Sequence, residues 1–434
     1  MKKTLFITML AAALLGGNVY ANTGFSGGEW LWGSHDDVVA KEGETLLIFE
    51  APYSDYEQLG NVYGLFDFGT GMGSVAIQGG IVQNAYGGYV ASVDMDAVYC
   101  KVKMTGGTVS SELLGGKAAS DMKNADDNLV IVTGGWIGKS VIGGEASGQY
   151  YTGAGDNKVY VTGLSTGCTP DIIGGLAGGT NETSAAGNQV HLVGEGAGIL
   201  LDNESYMGQA MTLGAIQGGV SQFYEHNNSI DIYGSGIQAV SLTHMQILNF
   251  HLVDGLATAE APMVSLSGTV VPLNLATFSL GIIADDVTDW GVLAGRTVTL
   301  AETQLAITGF GSTPYKVVDV TKTGQSASKG ILTLGNEGKA LLMKVLRPGT
   351  EVLASGESRQ AGSATITALK ENEPGLLDHL TLDTDTILGA GRAASLADGL
   401  KIQSDADLMI MNMTLTANNE IHVGEHTITL KDVT

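Results

Sequence analysis

Only two cysteines, Cys100 and Cys168, stand in 434 residues. No disulfide framework and no Cys-x-x-Cys zinc ligand set can hold such a chain together. Proline is equally sparse, at 7 residues against 63 glycines, which excludes collagen-like and polyproline segments. All four arginines (Arg296, Arg347, Arg359, Arg392) fall in the last third. The first two thirds therefore lack the guanidinium groups with which proteins grip phosphates or stabilise sugar carbanions. The longest apolar run, Leu5 to Leu15, is too short to span a bilayer as a helix, which takes roughly 20 residues. Cations are scarce too: 21 Lys and Arg against 45 Asp and Glu give a net charge of −24, a field that repels nucleic acid and anionic lipid.

What is present begins with export. Lys2 and Lys3 precede that apolar run, and Val19-Tyr20-Ala21 closes it with residues of the kind a signal peptidase reads. Residues 1–21 are expected to be a cleaved secretory signal, with the mature chain starting near Asn22. The residue directly after Ala21 is Asn22 and not cysteine, so a lipid anchor is not expected. Loss of the two signal lysines leaves 19 basic against 45 acidic residues, a net charge of about −26. The expected location is the cell surface, the medium or the periplasm.

Glycine carries the main pattern. A column residue, then alternating aliphatics, then glycine recurs six times. The copies are Gly73-Ser-Val75-Ala-Ile77-Gln-Gly79, Cys100-Lys-Val102-Lys-Met104-Thr-Gly106, Asn128-Leu-Val130-Ile-Val132-Thr-Gly134, Asn157-Lys-Val159-Tyr-Val161-Thr-Gly163, Asn188-Gln-Val190-His-Leu192-Val-Gly194 and Asn228-Ser-Ile230-Asp-Ile232-Tyr-Gly234. The spacings are 27, 28, 29, 31 and 40. Period-two alternation puts both aliphatics of a copy on one strand face. Ala76, Lys103, Ile131, Tyr160, His191 and Asp231 are then expected on a wet opposite face. A second signature follows in five units: Gly87-Gly88, Gly115-Gly116, Gly143-Gly144, Gly174-Gly175 and Gly218-Gly219, each expected to supply positive φ at a sharp corner.

A unit of strand, glycine corner, second strand and polar return predicts an all-β, right-handed parallel β-helix with coils of about 28 residues. Asn128, Asn157 and Asn188 are expected to form a ladder, each amide bonding the next coil and satisfying turn backbone. An antiparallel sandwich is the rival, but it gives no reason for six units to keep the same columns. The organisation read from the chain is an N-terminal cap at 22–72, solenoid repeats at 73–250 and a degenerate β-rich region at 251–434. The cap segment carries Trp30, Trp32, Phe49, Tyr53, Tyr56, Tyr63, Phe66 and Phe68, which would cover the solenoid end or form a sugar-binding platform. The 24-residue step from Gly194 to Gly218, holding Glu195, Asp202, Glu204, Tyr206 and Met207, is an insertion into the coil.

Signal peptide, glycine-rich repeats with Asn before the strand, acidity and few cysteines resemble the passenger regions of bacterial autotransporters and adhesin-like surface proteins, over about residues 60–270. The resemblance implies a secreted or surface-displayed solenoid used for adhesion or as a stalk, with host or surface glycans or proteins as partners. The chain departs from that family in lacking an aromatic residue after Tyr315, where a translocator barrel needs girdles of them.

Chemistry is not conspicuous. The pairs Asp36-Asp37, Asp126-Asp127 and Asp285-Asp286 sit at turn-like positions. Gly69-Thr-Gly71-Met-Gly73-Ser lacks the strand-loop-helix setting of a phosphate loop. His191 has no metal-ligand spacing around it, and neither a Gly-x-Ser-x-Gly elbow nor a calcium nonapeptide occurs. Cys100 and Cys168 fall two coils apart, roughly 10 Å, beyond disulfide reach. No catalytic, cofactor-binding or metal-ligating residue is assigned, and a non-enzymatic adhesin-like or structural protein is expected. A carbohydrate-active β-helix enzyme using acidic residues is the alternative.

Overall fold

The computed structural model describes residues 73–91, 95–293, 296–311, 315–323 and 328–346, with shorter stretches from 25 to 66 and from 350 to 434. The signal segment 1–21 and Trp32, Phe49, Tyr53, Tyr56 and Phe68 lie outside them. The chain divides into two compact units. The first comprises Met1–His251, Ala259–Leu280 and Glu302–Gly309; the second comprises Leu252–Thr258, Gly281–Ala301 and Phe310–Thr434.

The first unit is a parallel β-solenoid. The aliphatic copies stack as one ladder, Ser74–Ile77, Lys101–Met104, Leu129–Val132, Lys158–Val161, Gln189–Val193 and Ser229–Tyr233, paired parallel in the register of the sequence columns. Val75, Val102, Val130, Val159, Val190 and Ile230 follow one another at zero exposure. Each continues the apolar column of the coil beneath it, so no copy has to bury its aliphatics alone. The ladder also extends past the six copies. Thr45–Ile48 pairs parallel with Ser74–Ile77, and Ile247–His251 pairs parallel with Ser229–Tyr233. Both added strands keep an inward apolar pair, Leu46 with Ile48 and Leu248 with Phe250, but lack the glycine that marks the others.

A second parallel ladder runs through Val38–Ala40, Leu59–Tyr63, Ile81–Val90, Glu112–Ala118, Ser140–Ala146, Asp171–Ala177, Ala215–Gln217 and Ser241–Thr243. The expectation of a corner at each Gly-Gly is wrong. Gly87-Gly88, Gly115-Gly116, Gly143-Gly144 and Gly174-Gly175 lie inside these strands, and none has positive φ. Their reason is space. A β-carbon on Gly143 would stand 2.8 Å from Asn157 Cβ, and one on Gly144 would stand 2.6 Å from Asn157 Nδ2. Equivalent contacts tie Gly115 and Gly116 to Asn128, and Gly174 and Gly175 to Asn188. The two sequence signatures are halves of one device: the glycine pair clears the volume that the asparagine fills across the coil. The corners are made by other residues, the second glycines after the first strand (Gly80, Gly107 and Gly135, φ 75, 77 and 95°) and the residue before each column position (Tyr99, Asp127, Asp156, Gly187, Asn227).

The asparagine ladder forms as expected and reaches one coil further. Asn128, Asn157 and Asn188 each donate from Nδ2 to the Oδ1 of the next, ending on Asn228, at 3.0 Å every time. The same oxygens accept the backbone N–H groups of Asn128, Asn157 and Asn188. Each Nδ2 also reaches a carbonyl of the third side, Ala97, Ala125, Ala154 or Ala185. Cys100 N opens the row on Asn128 Oδ1, and Gln246 Oε1 closes it on Asn228 N. That third side makes the coil three-faced where two strands and a return were expected. Its alanines 97, 125, 154 and 185 pack inward with Val90 and Ala118.

In the second unit, Tyr315–Thr321, Ser328–Gly335 and Ala340–Val345 form an antiparallel meander. Beyond it the strands are parallel again. Thr386–Leu388, Leu408–Met411 and Ile428–Lys431 stack in one row, and His379–Leu382, Lys401–Ser404 and Glu420–His422 stack in another. Helix among the described residues is confined to one α turn, Trp290–Leu293, and two 3-10 turns. None is long and apolar enough to cross a membrane.

Candidate functional site

The outer face of the first ladder is not the wet surface that alternation predicts. Ile131 has zero exposure, Asp231 only 6%, and Tyr160 and His191 are half-buried. The insertion explains the early coils. It folds as an antiparallel hairpin, Gly198–Leu201 with Glu204–Met207, and lies back across the strands that precede it. Asp202 pairs with Lys101 Nζ, and Glu204 lies 2.6 Å from Lys103 Nζ, three coils before the hairpin leaves the ladder. Tyr206 adds its ring, 5.4 Å from the Lys103 ammonium, and its hydroxyl donates to Glu204. Ile131 lies between this anchor and the root of the hairpin, one strand from Lys103 in register.

Further along the same face a polar row is built on adjacent strands. Tyr160 and His191 stack at 4.3 Å, and Tyr233 and His251 stack at 3.9 Å. His191 Nδ1 stands 3.2 Å from the Tyr233 hydroxyl. Under these rings Asp231 accepts from His251 Nε2 at 2.9 Å, Asn249 Nδ2 at 2.8 Å and Ser229 Oγ at 2.8 Å. Burial pushes the Asp231 carboxyl up, but the His251 bond, the field of His191 and the Asn249 and Ser229 donors outweigh it and hold it below the usual range. Burial drives His191 the other way, down to about 4, with Asp231 offsetting part of the fall. Three donors occupy three of the roughly four lone-pair sites of the carboxylate, so it binds and orients its neighbours.

His191, singled out as a lone outward residue, is thus the centre of a stacked row. Asp231 shares that row, as its column in the repeat implies, but is buried where a wet position was expected. Asp126 and Asp127 lie on the third face, where Asp126 Oδ1 accepts the Gly155 amide at 2.6 Å. Asp285 accepts from Thr323 in the second unit. Cys100 and Cys168 are both buried free thiols. Tyr63 and Phe66 of the proposed cap join Tyr86 and Tyr89 in one aromatic cluster, with Tyr63 stacked on Tyr86 at 5.1 Å inside the second ladder. Among the described residues, no group of three or more His, Cys, Asp and Glu side chains is placed to hold a metal ion.

Fold and face together define a parallel β-solenoid whose outer sheet is partly roofed by its own hairpin. No protein-family model, no curated protein and no solved structure matches this chain.

Proposed function

We propose that the protein is an exported, non-enzymatic β-solenoid that displays a binding surface outside the cytoplasm, in the manner of an adhesin or a structural stalk. The observation that carries this reading is the continuous asparagine-glycine device. It locks successive coils through buried bonds that take backbone carbonyls of the third face and none of its outward side chains. Such a frame holds side chains at fixed intervals of roughly 4.8 Å per coil, which suits a surface that engages an extended partner. The basic, apolar start of the sequence supports export, and the three hydrogen bonds that the Asp231 carboxylate accepts support a structural role for that buried acid.

Fractionation of cells that express the full chain tests it. Recovery of a processed protein in the periplasm, the medium or on the surface is the expected result, and an unprocessed cytoplasmic protein overturns it. Release of reducing or unsaturated ends from a glycan panel by the purified mature chain would replace it with a carbohydrate-active enzyme.

A further inference from the structure

The third face of the coils carries side chains that the solenoid itself does not require. Tyr99, Met122 and Tyr151 are 58, 66 and 57% exposed, and all three hold left-handed backbone, with φ of 55, 59 and 51°. That conformation crowds a β-carbon and is ordinarily occupied by Gly, Asn or Asp. The other coils follow the rule at the Tyr99 column, with Asp127, Asp156, Gly187 and Asn227. Backbone preference favours a small polar residue at these places. Bulky side chains are displayed there against the local preference, and each stays more than half exposed among the described residues.

Charge selects the occupant. On the segments that make this face, Asp96, Asp121, Asp126, Asp127, Asp156 and Glu182 stand against the single Lys123. The coils are tied to one another, Tyr99 N to Asp126 O at 3.3 Å and Met122 N to Tyr150 O at 2.7 Å, so one framework carries Tyr99 ahead of Asp127 and Asp156 in one column and Met122, Tyr151 and Glu182 in the other. Gly153 and Gly155, between the two columns, keep that part of the face low. Burial, with Asp127, Asp156 and Asp96 nearby, pushes the Asp126 carboxyl up, as expected where negative potential lacks a counter-charge.

We propose that this face binds an extended polypeptide segment bearing lysine or arginine, with Tyr99 and Tyr151 stacking on its cations and their aliphatic stems while Asp127 and Asp156 face the charges. A neutral glycan would stack on the rings and donate hydroxyls to the carboxylates but leave the negative charge of the face uncompensated, and a nucleic acid would be repelled. The inference names the partner of the displayed surface and rests on that reading only for where the encounter takes place. Fractionation tests location, and the titration below tests binding, so either can fail alone.

The experiment is a titration of the purified mature chain against fluorescent deca-lysine and deca-arginine, with deca-glutamate and a glycine-serine peptide as controls. Tyr99→Asn with Tyr151→Asn removes the rings, and Asp127→Asn with Asp156→Asn removes the charges. Asn is at ease in left-handed backbone and already occupies position 227 of the Tyr99 column, so both pairs should keep the parent's unfolding midpoint or raise it. Glu260→Gln with Asp286→Asn removes two exposed acids elsewhere and reports the diffuse field of the whole protein. The expected result is about 5- to 30-fold weaker binding for the tyrosine pair. For the aspartate pair about 3- to 10-fold is expected at low salt, shrinking as salt is raised. The control pair should change binding by less than about twofold. Absence of binding to either cationic peptide, equal losses in the control pair, or full binding by the tyrosine pair would overturn the proposal.

Discussion

Replacing Asn157 with alanine isolates what the asparagine ladder contributes. The Asn157 side chain has zero exposure and takes part in four hydrogen bonds. Its Oδ1 accepts Asn128 N and Asn128 Nδ2, and its Nδ2 donates to Ala125 O and Asn188 Oδ1. In the alanine variant Asn128 Nδ2 keeps Ala97 O, and Asn188 Oδ1 keeps Asn157 N. Two groups lose the partner described for them: the Asn128 amide N–H and the Ala125 carbonyl. Each buried, unsatisfied backbone group costs about 1–3 kcal/mol, so the expected loss is about 2–6 kcal/mol before the cavity is counted. That is a large part of the 5–15 kcal/mol by which a domain is ordinarily stable. Aspartate at 157 should do no better, since its second oxygen would face two acceptors and force protonation. Urea unfolding followed by circular dichroism reads the total, and hydrogen exchange at the Asn128 amide reads the local opening. A loss under about 0.5 kcal/mol, with the Asn128 amide still protected, would refute the view that the ladder holds adjacent coils together.

Other substitutions probe the faces and the titrating groups. Val159→Asp places a carboxylate in a zero-exposure column and should prevent stable folding, while Tyr160→Asp should cost on the order of 1–3 kcal/mol because it breaks the His191 stack beside Asp231; equal unfolding midpoints for Tyr160→Asp and the parent would contradict this. His191 is held down to about 4 in the folded chain against about 6.5 unfolded, so the unfolded state binds the extra proton first and stability should fall as pH drops from about 6.5 towards 4. His191→Gln should remove that part of the slope, and an unchanged pH–stability curve would show that the ring is solvated. Asp231 adds a separate loss at lower pH, because its depressed carboxyl stabilises the fold above the unfolded value and is protonated only below it. The Cys100 thiol, pushed up to about 11 by burial, should resist alkylation in the native protein and react once it is unfolded, and a non-reduced digest should contain no Cys100–Cys168 peptide.

The repeating register was legible in the sequence because it is a linear property. Aliphatics two apart at a steady interval can be buried only by stacking like on like, so Val130, Val159 and Val190 name their neighbours without reference to anything distant. The asparagine column was legible for the same reason. Two strands escaped notice, Thr45–Ile48 and Ile247–His251, because they keep an apolar pair and drop the glycine used to find the rest. What only the tertiary structure decided are relations across the coil and between distant segments. Glycine pairs read as corners because glycine permits both positive φ and close approach, and only the placement of Asn157 against Gly143 and Gly144 distinguishes the two uses. The burial of Ile131 and Asp231 was likewise invisible. Alternation tells which face a side chain is on, but whether water reaches Ile131 depends on the Gly198–Met207 hairpin, and whether it reaches Asp231 on the packing of His251 and Asn249 against the carboxylate, contacts that no local pattern encodes.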